Sequence, residues 1–195
     1  VDDMHILSEL MKLEHPKAKF ILLGHSMGSL LSRKYVTKYG SELDALILSG
    51  TASFIKGLGN IGLITATAVT TFRGRSRANG LLKSFFFGEF NKKFKPNRTK
   101  LDWISSDEKQ VDLFAEDPYR IEDFSLGVFL DVIKNSKKLN KSEAFSATPK
   151  DLPILIFSGD KDPVGEMGKG VTRVAKQYEK RGMSDLTFNL YEGGR

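Results

Sequence analysis

Residues 19–39 read KFILLGHSMGSLLSRKYVTKY. The run 19–23 is short, apolar and of strand length, which suits a parallel strand buried on both faces and bounded by Gly24. Residues 27–39 have the character of a helix closed by Gly40. Between them stands Gly24-His25-Ser26-Met27-Gly28, a Gly-x-Ser-x-Gly turn from strand to helix. The bare pattern arises by chance in roughly one chain in twenty of this length, so its strand-turn-helix setting is what gives it meaning.

The alternation extends to both sides. Residues 2–14 place Met4, Leu7, Leu10 and Met11 at helical spacing, and Pro16 ends that helix. Residues 45–49 (ALILS) read as a second buried strand closed by Gly50, 153–158 (PILIFS) as a third, and 186–191 (LTFNLY) as a fourth. A helix over 167–181 joins the last two. Strands alternating with helices predict a parallel sheet with helices on both faces, an α/β class. Between residues 52 and 148 the alternation stops. That stretch reads as helical at 57–72, 108–116 and 125–138, and carries most of the phenylalanines and the only tryptophan, Trp103. The predicted organisation is a core of 1–51 and 149–195 with a helical cap insertion, 52–148, over the strand ends where ligands bind.

A serine on so sharp a turn exposes its hydroxyl above the sheet, from a strained backbone. Gly24 and Gly28 are expected where side chains would crowd the neighbouring strand and helix. The backbone N–H of Met27 and the helix N-terminus would face the point where negative charge develops in acyl transfer. Ser26 is therefore the candidate nucleophile. Its acid partner should follow a later strand, and 154–165 (ILIFSGDKDPVG) offers Asp160 and Asp162. Pro163 stiffens the loop at Asp162, which makes it the preferred candidate, with Asp160 as the alternative. Both could instead cap the following helix. The base should come last, but His5, His15 and His25 all precede Ser26. The final residues are Tyr191-Glu192-Gly193-Gly194-Arg195, in the loop where a base belongs.

Composition sets outer bounds. The chain has 195 residues, 40% hydrophobic and 28% charged, as expected of a packed domain. No cysteine is present, which excludes a disulfide framework or thiolate metal site and fits a reducing, cytoplasmic setting. No cluster of metal ligands is visible, and neither a metal nor an organic cofactor is implied. The longest uncharged stretch, 57–72, has 16 residues, four of them threonine, and is short of the ~20 apolar residues of a membrane span. Residues 54–150 hold 17 Lys/Arg against 11 Asp/Glu, the whole of the net +6. Within 73–100, nine Lys/Arg stand against one Glu, with Phe72, Phe85, Phe86, Phe87, Phe90 and Phe94 among or beside them. Two readings stay open: a surface that makes transient contact with a lipid membrane, or a cap core of Phe beneath a solvated basic face. No nucleic-acid motif accompanies the run, and no nucleic-acid partner is expected.

The elbow LLGHSMGS, the run ALILSGT, the segment FGEFNKKFKPNRTKLDWISSDEKQVDLFAEDP, the loop ILIFSGDKDPVG and the terminal LYEGGR together resemble the monoacylglycerol lipase-like and bacterial lysophospholipase-like α/β-hydrolases. The resemblance runs along nearly the whole chain. It implies an α/β-hydrolase fold of which these would be the last four of eight strands, so a longer native polypeptide is expected. It implies that the aspartate before Pro-Val-Gly, Asp162, is the catalytic acid. It further implies a histidine directly after Arg195, and a second oxyanion donor from a loop preceding Val1. The implied activity is hydrolysis of a small-molecule or lipid ester, of monoglyceride or lysophospholipid type, through an acyl-enzyme, with the chain as given inactive alone. An acyltransferase, a peptidase, or a non-catalytic binding protein on the same scaffold are the alternatives.

Overall fold

The computed structural model describes residues 1–54, 56–77, 89–121 and 124–195. Helix α1 (Asp2–Glu14) leads to β1 (Ile21–His25), the elbow, α2 (Met27–Tyr39), a single 3-10 turn (Gly40–Glu42) and β2 (Ala45–Ser49). Then come α3 (Lys56–Arg73), α4 (Glu108–Glu116), α5 (Leu126–Leu139) and the short α6 (Ser142–Ser146). Strand β3 (Ile154–Gly159), α7 (Lys169–Lys180) and β4 (Leu186–Tyr191) complete the chain. Side-chain oxygens start two of these helices: Asp107 accepts from Lys109 N–H and Ser125 from Val128 N–H.

The four strands form one sheet in the order β1-β2-β3-β4, every pair parallel. Register is fixed by hydrophobic side chains on one face. Leu22, Leu46 and Ile154 lie in one row across it, and Gly24, Leu48 and Ile156 in the next. Leu46, Leu48, Ile154 and Ile156 are buried there beneath Tyr35 and Val36 of α2, Phe145 of α6, and Val171, Val174 and Tyr178 of α7. Tyr178 meets Phe145 edge to face, with 4.9 Å between ring centres.

The sequence reading expects helices on both faces; α2, α6 and α7 cover one of them. The opposite face, with Leu23, Ile47, Leu155 and Phe157, is exposed or half-buried. β1 also departs from the expected burial: Ile21 and Leu23 are more than half exposed. The reason is positional, since β1 is the outer strand and pairs on one side only among the described residues. It also runs two residues later than expected, so Gly24 lies inside the strand rather than bounding it.

Residues between β2 and β3 contribute helices but no strand among the described residues. Helix α5 packs against α3 and α2 and so ties this segment to the core. A further tie is Arg33, a buried arginine on α2. Its guanidinium donates to the carbonyls of Ala52 and Leu139, at 3.0 and 2.9 Å, and lies 5.1 Å from the Phe145 ring centre. Burial pushes its pKa down, opposed by the neighbouring Tyr178. Of the basic-aromatic stretch, Phe85, Phe86 and Phe87 lie outside the described residues. Phe72 is 88% exposed, whereas Phe90 packs on Trp103 and Phe94 beneath Arg195. Arg75 pairs with Asp131, and Arg98 with Glu108 and Asp112. No helix among the described residues is long and apolar enough to cross a membrane.

Candidate active site

In a parallel sheet all carboxyl ends lie along one edge, and the candidate residues gather there. Ser26 follows β1. Its N–H still pairs with the Ser49 carbonyl of β2, at 2.9 Å, and its φ of 51° and ψ of −118° lie in a region that non-glycine residues seldom adopt. The turn is pinned from the other side, because the Ser26 carbonyl accepts both the N–H and the hydroxyl of Ser29, at 3.0 and 2.6 Å. The strained residue is thus held between strand and helix. Among the described residues no group accepts a hydrogen bond from its hydroxyl. Met27 occupies the first helical position, where a backbone N–H has no acceptor within the helix.

The two glycines of the motif differ. A Cβ on Gly24 would come within 2.4 Å of the Ser32 hydroxyl and 2.5 Å of the Gly28 carbonyl, so this position admits no side chain without movement. The sequence reading expects the same crowding at Gly28, and the structure corrects it. Among the described residues a Cβ there meets nothing within 4 Å.

Asp162 lies in the loop after β3 and is only 8% exposed. One carboxylate oxygen accepts the Ser158 hydroxyl at 3.0 Å, and the other accepts Val164 N–H at 2.8 Å. The Asp162 carbonyl takes Met167 N–H at 2.8 Å, which closes the loop on itself. Asp160 has a different partner: it accepts Gly193 N–H at 2.8 Å and so holds the turn after β4. Gly194 returns the tie through its carbonyl, which accepts Lys161 N–H at 2.9 Å. The approach is close enough that a Cβ on Gly159 would lie 2.0 Å from Gly194. The end of β4 is therefore stitched to the loop that bears Asp162.

The histidines are engaged elsewhere. His25 turns towards β2, with Nδ1 3.0 Å from the Ser49 hydroxyl. A Cβ built on Gly50 would be 3.4 Å from the His25 ring and 3.5 Å from the Asp162 carboxylate, so both flank the end of β2. His15 ends α1. His5 stacks on Tyr39, with 3.8 Å between ring centres. Contrary to the sequence reading, the fold does assemble a group of metal-ligating types: His5, Glu9 and Glu42, with ligand atoms within 4.8 Å of one another. The Lys12 ammonium sits 3.4 Å from Glu9 and 3.0 Å from Glu42, so a side-chain cation already meets this charge. Sequence spacing gave no signal for the cluster, because Glu42 joins it from the 3-10 turn.

The Hydrolase_4 family profile, described as serine aminopeptidase, S33, matches residues 1–195. A highly thermostable carboxyl esterase from Bacillus coagulans, solved with glycerol, superposes with a TM-score of 0.91 at 26% identity over 100% of this chain and 63% of its own. A lipase in its open form gives 0.85 at 23% identity, again over 100% and 63%. A soluble variant of monoglyceride lipase from Saccharomyces cerevisiae, solved with a substrate analogue, gives 0.71 at 20% identity over 98% and 59%. The chain therefore spans less than two thirds of the length of these structures. No curated protein matches the sequence. The likenesses establish the α/β-hydrolase fold.

Proposed function

The chain belongs to the hydrolase family described as serine aminopeptidase, S33, and on that footing we propose that it carries the nucleophile and acid of a serine hydrolase acting on carboxylic esters. The observation that carries the reading is Ser26: a non-glycine residue held at positive φ on a strand-to-helix turn, its hydroxyl unpartnered among the described residues. Backbone strain of this kind is retained where function requires it.

In this reading the Ser26 hydroxyl oxygen attacks the ester carbonyl carbon and passes its proton to an imidazole expected after Arg195. The Met27 N–H stabilises the oxyanion, with a second donor expected from residues before Val1. The imidazolium then gives its proton to the departing alcohol, and water hydrolyses the acyl-enzyme by the same steps. Asp162 would orient the imidazole through the carboxylate that Ser158 and Val164 hold in place. Support for the expected base comes from the turn at Gly193 and Gly194. Its bonds to Asp160 and Lys161 bring any residue joined to Arg195 close to this loop.

Ester substrates are favoured by the likeness to the Bacillus coagulans carboxyl esterase, the one of these three neighbours above 25% identity. Monoglycerides or lysophospholipids are the proposed class. They would reach the site beneath the helical segment between β2 and β3, whose exposed Ile61, Ile64 and Phe72 provide apolar surface for transient contact with a lipid interface. The second reading, a peptidase, rests on the family's own description. The test is labelling of the full-length protein with a fluorophosphonate, followed by rates on monoglyceride, lysophospholipid and aminoacyl anilide substrates. A single adduct lost in Ser26→Ala, with ester turnover, supports the proposal. No adduct would point to a binding protein on a hydrolase scaffold.

A further inference from the structure

A cavity of about 430 Å³ opens where the helical segment between β2 and β3 meets α7. It lies within the size range of small-molecule sites, and Ser26, Met27 and Asp162 do not line it. Phe54, Phe145 and Val174 form an apolar wall. Facing them, the Arg173 guanidinium donates to the Ser53 hydroxyl at 2.9 and 3.1 Å and pairs with Glu166. Two further cations lie near the aromatic wall residues without lining the cavity. Arg33 lies 5.1 Å from the Phe145 ring centre and Lys137 Nζ 5.9 Å from that of Phe54. Arg33 has no carboxylate partner among the described residues: its bonds go to the Ala52 and Leu139 carbonyls, with Tyr178 beside it. Among the described residues the lining carries one cation, Arg173, and one acid, Glu166.

We propose that this cavity is a binding site for a small organic carboxylate with a short apolar chain. Guanidinium and carboxylate match as a planar two-bond pair, which favours a carboxylate over a neutral amide at Arg173. The incoming carboxylate takes the Arg173 bonds now made by Glu166. That residue is held at a φ of 56°, followed by Met167 at 55°, so its release gives the loop a route out of two unfavourable backbone conformations. The apolar chain lies on Phe54, Phe145 and Val174. A phosphate suits the site less, because half of the wall would offer its oxygens no donor. The bound ligand would join Ser53 and Phe54, at the start of the helical segment, to Asn140 and Phe145 near its end.

The test is calorimetric titration of the full-length protein with hexanoate and, separately, with hexanamide. Expected are saturable binding of one hexanoate per chain, hexanamide at least tenfold weaker, and unchanged hexanoate affinity in Ser26→Ala. Arg173→Gln should weaken hexanoate at least tenfold. Gln177→Trp, which fills the cavity from α7 without touching the ion pair, should do the same and covers the case in which Arg173→Gln fails to fold. Absence of saturable binding, equal affinity for hexanamide, affinity retained in Gln177→Trp, or affinity lost in Ser26→Ala would each overturn the proposal. Because the readout is binding, it is independent of whether Ser26 proves catalytic.

Discussion

The guanidinium carbon of Arg195 lies 4.1 Å from the centre of the Phe94 ring, and the same guanidinium donates to the carbonyls of Asp102 and Ser105. A residue after the last strand is thereby fastened to the helical segment inserted between β2 and β3. The landing point is itself built by Asp102, whose carboxylate accepts the N–H groups of Arg98 and Thr99 and the Thr99 hydroxyl.

This arrangement predicts an acid response. Burial works against ionisation of Asp102, but the hydrogen bonds from Thr99 and Arg98 outweigh it and hold the pKa below its ordinary 3.8. A carboxylate with a depressed folded-state pKa stabilises the fold fully above the ordinary aspartate value, and that contribution is lost as pH falls through the depressed one. The Arg98 and Thr99 amides should therefore stay protected from hydrogen exchange at pH 5 and lose protection selectively only as pH falls below the ordinary aspartate value of 3.8. Asp102→Asn should remove the pH dependence.

Strain at Ser26 should be measurable as stability. Ser26→Gly removes the penalty of a positive φ and should stabilise by about 1 kcal/mol, while abolishing fluorophosphonate labelling. Ser26→Ala keeps the strain and should lose labelling with little change in Tm. Equal melting temperatures for the two variants would show that the turn stores no strain.

Asp160 and Asp162 are separable because their bonds differ. Asp162→Asn should lower kcat/KM by about 10⁴, the scale seen when a triad loses its acid, with modest change in stability. Asp160→Asn weakens only the tie to Gly193 N–H and should cost much less in rate. The reverse order would move the acid role to Asp160.

The elbow glycines should respond oppositely. Gly24→Ala drives a Cβ into the Gly28 backbone and should destabilise by about 1–3 kcal/mol or prevent folding. Gly28→Ala meets open space in a helical position and should be neutral or stabilise by about 0.5 kcal/mol. Urea denaturation of both variants reads this directly.

Arg33→Met would leave the Ala52 and Leu139 carbonyls without their donor inside the protein. Each orphaned carbonyl costs about 1–3 kcal/mol, partly offset by removal of a desolvated charge. A net loss of roughly 2 kcal/mol in urea unfolding is expected, with Arg33→Lys intermediate because an ammonium lacks the planar fork.

What sequence could disclose followed from separation along the chain. The four strands and the helices at 57–72 and 108–116 were legible to within about two residues, because apolar runs and punctuating glycines are local signals. The elbow was legible for the same reason. Arg33 was not, since its partners Ala52 and Leu139 lie 19 and 106 residues away and nothing in the SLLSRKY run marks a buried cation. The freedom at Gly28, the exposure of β1 and the approach of Arg173 to Ser53 likewise arise only once distant segments meet.

The order β1-β2-β3-β4 has a last consequence, for how this chain tolerates change over time. The chain leaves the sheet after β2 and returns at the adjacent β3, and the excursion is tied to the core where Ala52 and Leu139 meet Arg33 and where Phe145 and Leu152 enter it. The entropy of closing a loop grows only with the logarithm of its length, and doubling the excursion would cost about 0.6 kcal/mol. Between those ties such a segment can be lengthened or shortened while the strand ends and their loops remain in register. The sheet is in effect the constant part of the molecule and the inserted helical stretch its variable part, and divergence among relatives should concentrate in the latter.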